Sequence, residues 1–125
     1  MSSTQVARIV MPGQTNSQGS LYGGVLLAML DEAAAIVARR HSRRDVVTAH
    51  VNSVDFEAPI LLGELAEVRA KLVKTGRTSM QIELEAYGED LKTGRRWICT
   101  RASLVMVAID ETQTPTPVPP YPASA

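Results

Sequence analysis

Hydrophobic and polar positions change period along the chain, and the changes outline its elements. Residues 6–11 (VARIVM) are rich in β-branched side chains and end at Pro12-Gly13, which predicts a first strand closed by a turn. After the loop from Gly13 to Ser20, residues 22–40 lack proline and abound in Ala, Leu and Met, so they predict one long helix ending near His41. From Asp45 the period drops to two. Residues 46–56 (VVTAHVNSVDF) form a long β run, broken by Ala58-Pro59 and Leu62-Gly63 before the next strand. In 64–74, Ala66, Val68, Ala70 and Leu72 alternate with Glu67, Arg69 and Lys71; in 78–86, Thr78, Met80, Ile82, Leu84 and Ala86 alternate with Ser79, Gln81, Glu83 and Glu85. Both patterns predict half-buried strands with one wet face. The last run, 96–109, turns apolar on both faces, as expected of a central strand or one covered by a partner subunit.

One strand, one long helix and four strands with short connections predict a single antiparallel α+β domain over residues 1–112. Residues 113–125 hold five of the seven prolines and predict an extended or disordered tail. A helix apolar nearly all round must be surrounded, and one sheet covers only one side. Either the sheet curls round it, or another subunit packs on it, or both.

The totals narrow the function classes. Thirteen basic and thirteen acidic residues cancel, which removes the basic field typical of nucleic-acid binders. The apolar run Val25–Leu30 is far shorter than the roughly 20 residues that span a bilayer, so no membrane segment is expected. The single cysteine, Cys99, has no internal partner, and the N-terminus lacks a signal-like pattern; a reducing, cytoplasmic setting fits both.

The chemistry concentrates on the helix. Asp31 and Glu32 differ in direction by about 100° and stand among Leu26, Leu27, Met29, Leu30, Ala33, Ala34, Ile36 and Val37, so at least one of them is expected near the core. A carboxylate there loses hydration at a cost of several kcal/mol unless partners compensate. Asp31 is the stronger candidate for a functional acid, because Gly24, Leu27 and Ala34/Ala35 share its face and leave room for a ligand; the alternative is an interface Asp held by backbone or Arg donors. Gly23-Gly24 opens the helix, where free amides and the positive dipole end can polarise a carbonyl, or where glycine serves only close packing. Gly24 and Asp31 lie about 10 Å apart along the axis, too far to meet one carbonyl from a single helix. Two antiparallel copies, Gly24 of one facing Asp31 of the other, would meet it. Arg39, Arg40, Arg43 and Arg44 cluster at the helix end, either as a solvated face or as a patch for an anionic group. His41 and His50 lack acidic or thiol partners at ligand spacing, so no metal is expected; His50 faces either the core or the site, and Cys99 reads as a small core residue rather than a nucleophile.

The stretches PGQTNSQGSLYGGVLLAMLDEAAAIVARRH, VVTAHVNSVDFEAPILLGE and KTGRTSMQIELEAYGED resemble, in order and spacing, the hotdog-fold acyl-CoA thioesterases of the cytosolic acyl-CoA hydrolase group. The likeness covers roughly residues 8–110, and its specific part is N-x2-G-x3-GG-x6-D followed by GR-[ST]-S. It implies a sheet wrapped round a central helix, homodimers with shared sites, and assembly into hexamers as a trimer of dimers. It further implies that Asp31 is the helix carboxylate acting as general base or nucleophile, that Asn16 positions water or substrate from the opposite subunit, and that Gly24, with Gly23, polarises the thioester carbonyl. Gly76, Arg77, Thr78 and Ser79 match the turn that lies against the CoA phosphates, with Lys74 as a further cation; otherwise that segment is an ordinary β-turn.

The function expected is hydrolysis of acyl-CoA to CoA and a carboxylic acid, without cofactor beyond the CoA of the substrate. A non-catalytic acyl-CoA sensor would keep the turn and lose the acid, whereas Asp31 and Asn16 are both present; a hydratase needs a helix His that is absent until the helix end. Leu21, Tyr22, Val54, Phe56 and Met80 are candidates to line the acyl chain.

Overall fold

The structure, a computed structural model, describes residues 3–122. Its elements are β1 (Ser3–Ile9), α1 (Gly23–Ser42), β2 (Asp45–Phe56), β3 (Leu65–Thr75), β4 (Ser79–Glu89) and β5 (Arg96–Ile109). The strands form one antiparallel sheet in the order β1-β3-β4-β5-β2, and α1 touches all five. The expected α+β arrangement, a sheet wrapped round one central helix, is present.

Period-two alternation sets the sheet's inner face. Val68, Leu72, Met80, Ile82 and Leu104 are buried against Leu30, Ala33, Ala34 and Val37 of α1, each large side chain contributing about 1.5–3 kcal/mol by leaving water. β5 lies between β4 and β2, and most of its residues are buried or half-buried. β1 starts three residues before the expected position and ends at Ile9, after which the Val10 amide bonds to the Glu64 carbonyl and Val10 itself enters the core.

The expectation that an acid of α1 lies near the core is corrected. Asp31 and Glu32 are both exposed in the single chain, on a stripe with Gly24, Leu27 and Ala28, and Glu32 pairs with Arg8. The sheet leaves this stripe of α1 uncovered, so Leu27 and Ala28 remain open. β2, the edge strand beside that stripe, is exposed along most of its 12 residues, including Val47 (43%), Val51 (44%) and Phe56 (55%). Long apolar edges of this kind are rarely left uncovered in native proteins.

Through residue 122 the proline-rich tail lies on the domain without forming a helix or strand, and Val118 and Tyr121 pack against the core. Residues 123–125 of the tail fall outside the described residues. No helix among the described residues is long and apolar enough to cross a membrane.

Candidate active site

Asp31 sits midway along α1, and its Oδ1 accepts a hydrogen bond from the Thr48 hydroxyl of β2 at 2.5 Å. The Thr48 oxygen also lies 3.5 Å from the Met106 sulfur. One carboxylate oxygen is thereby oriented while the other keeps its lone pairs. Thr48 was not singled out from sequence. Its only signal was a hydroxyl within the apolar run VVTAH, and the β-bulges of β2 between Thr48 and His50 and between Val51 and Ser53 disturb the alternation that would have assigned its direction.

Gly23 and Gly24 lie at the opposite end of the same face. Tyr22 caps the helix without a side-chain hydrogen bond and the first turn has no acid, so the leading amides have no local acceptor. A Cβ at Gly24 would meet open space, whereas one at Gly23 would lie 3.6 Å from the Phe56 ring. The contact at Gly23 is an ordinary van der Waals one, so packing requires glycine at neither position. Asn16 organises the preceding loop: its Oδ1 accepts from the amides of Gln18 (2.9 Å) and Ser20 (3.2 Å) and from the Ser20 hydroxyl. Its Nδ2 has no partner among the described residues and remains free to donate. Beside this end lies an apolar cleft of about 350 Å³ lined by Leu21, Leu26, Phe56, Ile60 and Cys99. Of the acyl-chain candidates, Leu21 and Phe56 line this cleft, Val54 packs on the core, Met80 is fully buried in it, and Tyr22 is exposed.

The 76–79 turn is closed by a hydrogen bond from the Gly76 amide to the Ser79 carbonyl, 2.9 Å, and the Ser79 oxygen lies only 2.5 Å from where a Cβ at position 76 would sit. That oxygen is the Ser79 side-chain hydroxyl, so a Cβ at position 76 would make the Ser79 side chain rotate away. Thr78 is tied to β5 by its carbonyl, which accepts from the Ala108 amide. The side chains of Lys74 and Arg77 are exposed and make no hydrogen bond or ion pair among the described residues. Strand register relates this turn to the acid: Thr75, Met80, Met106 and Thr48 form one row across β3, β4, β5 and β2. Three strand spacings separate the row's ends, about 14 Å along the sheet. Asp31 with Thr48 and the cationic turn therefore share one end of the sheet, and the glycines and Asn16 lie at the other.

Several of the remaining candidates have structural partners. Among the helix-end arginines, Arg39 pairs with Asp45 at 3.2 Å and Arg40 bonds to the Thr4 hydroxyl; all four line a cleft of about 640 Å³ with Asp45, Asp110 and Glu111. Hydrogen bonds from Thr112 and Thr114, aided by Arg44, hold Asp110 below the usual carboxylate range. His50 is exposed on β2, so it does not face the core, and His41 bonds to the Pro119 carbonyl. Cys99 is buried, and that burial pushes its thiol up despite a hydrogen bond with Thr100, which suits a packing residue. No three potential metal-ligating side chains cluster among the described residues.

The chain matches the family model described as thioesterase superfamily over residues 18–95, more than half its length. An uncharacterized acyl-CoA thioester hydrolase of Zymomonas mobilis is 43% identical over 115 residues, 90% of this chain and 75% of that one. The acyl-CoA thioester hydrolase YciA of Salmonella typhimurium is 32% identical over 114 residues, 89% and 86% of the two chains. Among solved structures, an apo-hexameric acyl-CoA thioesterase superposes with a TM-score of 0.92 at 41% identity, covering 94% of this chain and 76% of that one. An acyl-CoA hydrolase from Staphylococcus aureus, solved with butyryl coenzyme A, coenzyme A and coenzyme A disulfide, gives 0.90 at 33% identity, covering 98% and 76%. Alanine variants of that hydrolase at an asparagine, an aspartate and a threonine have also been solved. Those three positions are separated by 15 and 17 residues, the same separations as Asn16, Asp31 and Thr48.

Proposed function

The chain belongs to the thioesterase superfamily, with its hotdog fold, and is an acyl-CoA thioester hydrolase; we propose that it works at a site shared between two copies, with Asp31 and Thr48 from one and Gly24 and Asn16 from the other. The observation that carries this reading is the Asp31–Thr48 hydrogen bond on an exposed face. An acid and its orienting hydroxyl stand beside an uncovered apolar edge strand, with the free helix amides about 10 Å away on the same helix. A second copy packed antiparallel along β2 covers Val47, Val51 and Leu27 and brings its own Gly24 towards Asp31. The matching separations in the S. aureus hydrolase support assigning Asn16, Asp31 and Thr48 to one chemical unit. Solved relatives that are hexameric support oligomeric assembly, and we extend the dimer to a trimer of dimers.

In this site the thioester carbonyl accepts from the Gly24 amide, where a fixed donor stabilises developing negative charge by about 3 kcal/mol. The Asn16 Nδ2 donates to water or to the same oxygen. Asp31 either takes a proton from water as that water attacks the carbonyl carbon, or attacks the carbon itself. In the first route the tetrahedral state collapses with cleavage of the C–S bond, and the proton held by Asp31 passes to the CoA sulfur. In the second, the thiolate leaves first and water then hydrolyses the mixed anhydride. Thr48 keeps one carboxylate oxygen occupied so that the other faces the substrate. Arg77 and Lys74 pair with the CoA phosphates at the far end of the pantetheine arm, and the cleft lined by Leu21 and Phe56 takes the acyl chain. No metal or cofactor takes part in this scheme. A cytoplasmic location belongs to the same proposal and fits a free thiol at Cys99.

The direct test is thiol release from a panel of acyl-CoAs by the native chain and by Asp31→Asn. The variant is expected to lose at least two orders of magnitude in kcat with an unchanged melting temperature. Near-native turnover would remove Asp31 from the mechanism.

A further inference from the structure

The tail is built into the domain more thoroughly than its composition suggests. Between residues 114 and 121 only Thr114, Thr116, Val118 and Tyr121 carry a backbone N–H, because the rest are proline. Every one of those donors is used: Thr114 to Asp110 Oδ1 (3.1 Å), Thr116 to the Ala108 carbonyl (2.9 Å), Val118 to the Arg77 carbonyl (2.9 Å) and Tyr121 to Thr75 Oγ1 (2.9 Å). From the other side, His41 Nε2 donates to the Pro119 carbonyl at 2.6 Å, and the Tyr121 ring stands edge-on to His41 at 5.9 Å between centroids. The prolines restrict φ in the unfolded chain, so ordering this segment costs less entropy than ordering a flexible one. Two of the four donors reach residues 75 and 77, which flank or belong to the proposed phosphate-binding turn. The segment leaves the Arg77 side chain free while holding its backbone.

We infer that residues 114–121 form a strap that positions the 76–79 turn, and with it Arg77, for the phosphate-bearing part of CoA. The strap is a specificity element for the CoA moiety, separate from the acid and amide that act on the thioester. This inference rests on the reading of the 76–79 turn as a CoA contact. Val118→Pro removes the donor to Arg77, and Tyr121→Ala removes the ring against His41 and the core; Tyr121→Phe keeps both ring and amide and serves as the conservative control. Each full-length variant is assayed with an acyl-CoA and with the thioester of the same acyl group on pantetheine, which lacks the phosphates, alongside Arg77→Ala.

Val118→Pro, which loses one hydrogen bond, and Tyr121→Ala, which loses the ring contact, are each expected to raise KM for the acyl-CoA roughly fivefold. Their kcat and their KM for the pantetheine thioester stay at native values, and Tyr121→Phe restores the native KM for acyl-CoA. If the strap variants change KM for both thioesters equally, or lower kcat on both, the segment is a structural support only and the inference is overturned. If Arg77→Ala separates the two substrates and the strap variants do not, the strap inference falls while the reading of the turn stands. If Arg77→Ala fails to separate them, the turn does not bind phosphate and both fall.

Discussion

Replacing Thr48 by valine removes one oxygen and keeps the side chain's shape and β preference, so its effect isolates the hydrogen bond to Asp31 Oδ1. A hydrogen bond to a charged acceptor contributes about 1.5–3 kcal/mol where water cannot replace it, and less where water can. In a lone chain this pair is exposed, so water would restore much of the loss; beneath a second copy it would not. With the site covered, the expected fall in kcat is about 10- to 100-fold, since each 1.4 kcal/mol is a factor of ten. KM should stay within about twofold, because Thr48 orients the acid rather than holding substrate. Continuous thiol release at saturating acyl-CoA gives kcat for native, Thr48→Val, Asp31→Asn and the double variant. In the Asp31→Asn background the Thr48 substitution should add little, because the two residues act as a unit. Native kcat in Thr48→Val, or a full and independent loss in the double variant, would refute the assignment of Thr48 to the acid.

Other expectations concern stability, acid tolerance and assembly. Burial alone would raise the Glu67 carboxyl, but hydrogen bonds and charge from Arg69 and Arg96 outweigh it and hold its pKa below 4.5. Its contribution to stability is therefore complete above that value and is lost as pH falls through the folded-state pKa; Glu67→Gln should be less stable at pH 7 and should lose part of the acid-induced drop in melting temperature, and an identical acid profile would contradict this. Gly88→Ala would drive a methyl group into the Trp97 ring and should destabilise by about 1–3 kcal/mol in denaturant melts, with an unchanged melt as the contrary result. Val51→Glu on the open edge of β2 should lower the mass in light scattering and turnover together, whereas a fully active monomer would exclude the shared site.

Much of the fold was legible because the alternation in β3 and β4 is clean and the helix composition is strong. Ala66, Val68, Ala70 and Leu72 against Glu67, Arg69 and Lys71 leave one choice of inner face. Asp31 shows where the pattern stops informing. Apolar neighbours such as Leu27 and Ala28 mark a covered helix without saying whether the cover is the chain's own sheet, and in the single chain that face is open. Thr48 was hidden for a different reason: bulges in β2 reset the side-chain direction that a period of two would have assigned. The tail was misleading in composition. Proline runs signal a segment that cannot build its own hydrogen-bond ladder, and that is true here, yet its few remaining amides find acceptors in Asp110, Ala108, Arg77 and Thr75.

The most direct measurement of the shared site mixes two inactive proteins. Asp31→Asn and Asn16→Ala chains, unfolded together and refolded at equal amounts, form about half mixed dimers, each with one doubly altered and one intact site. About a quarter of native turnover should return if the two residues come from different copies. Turnover no greater than that of the separate variants, in a mixture shown to contain mixed dimers, would place both residues in one copy's site and contradict the shared arrangement.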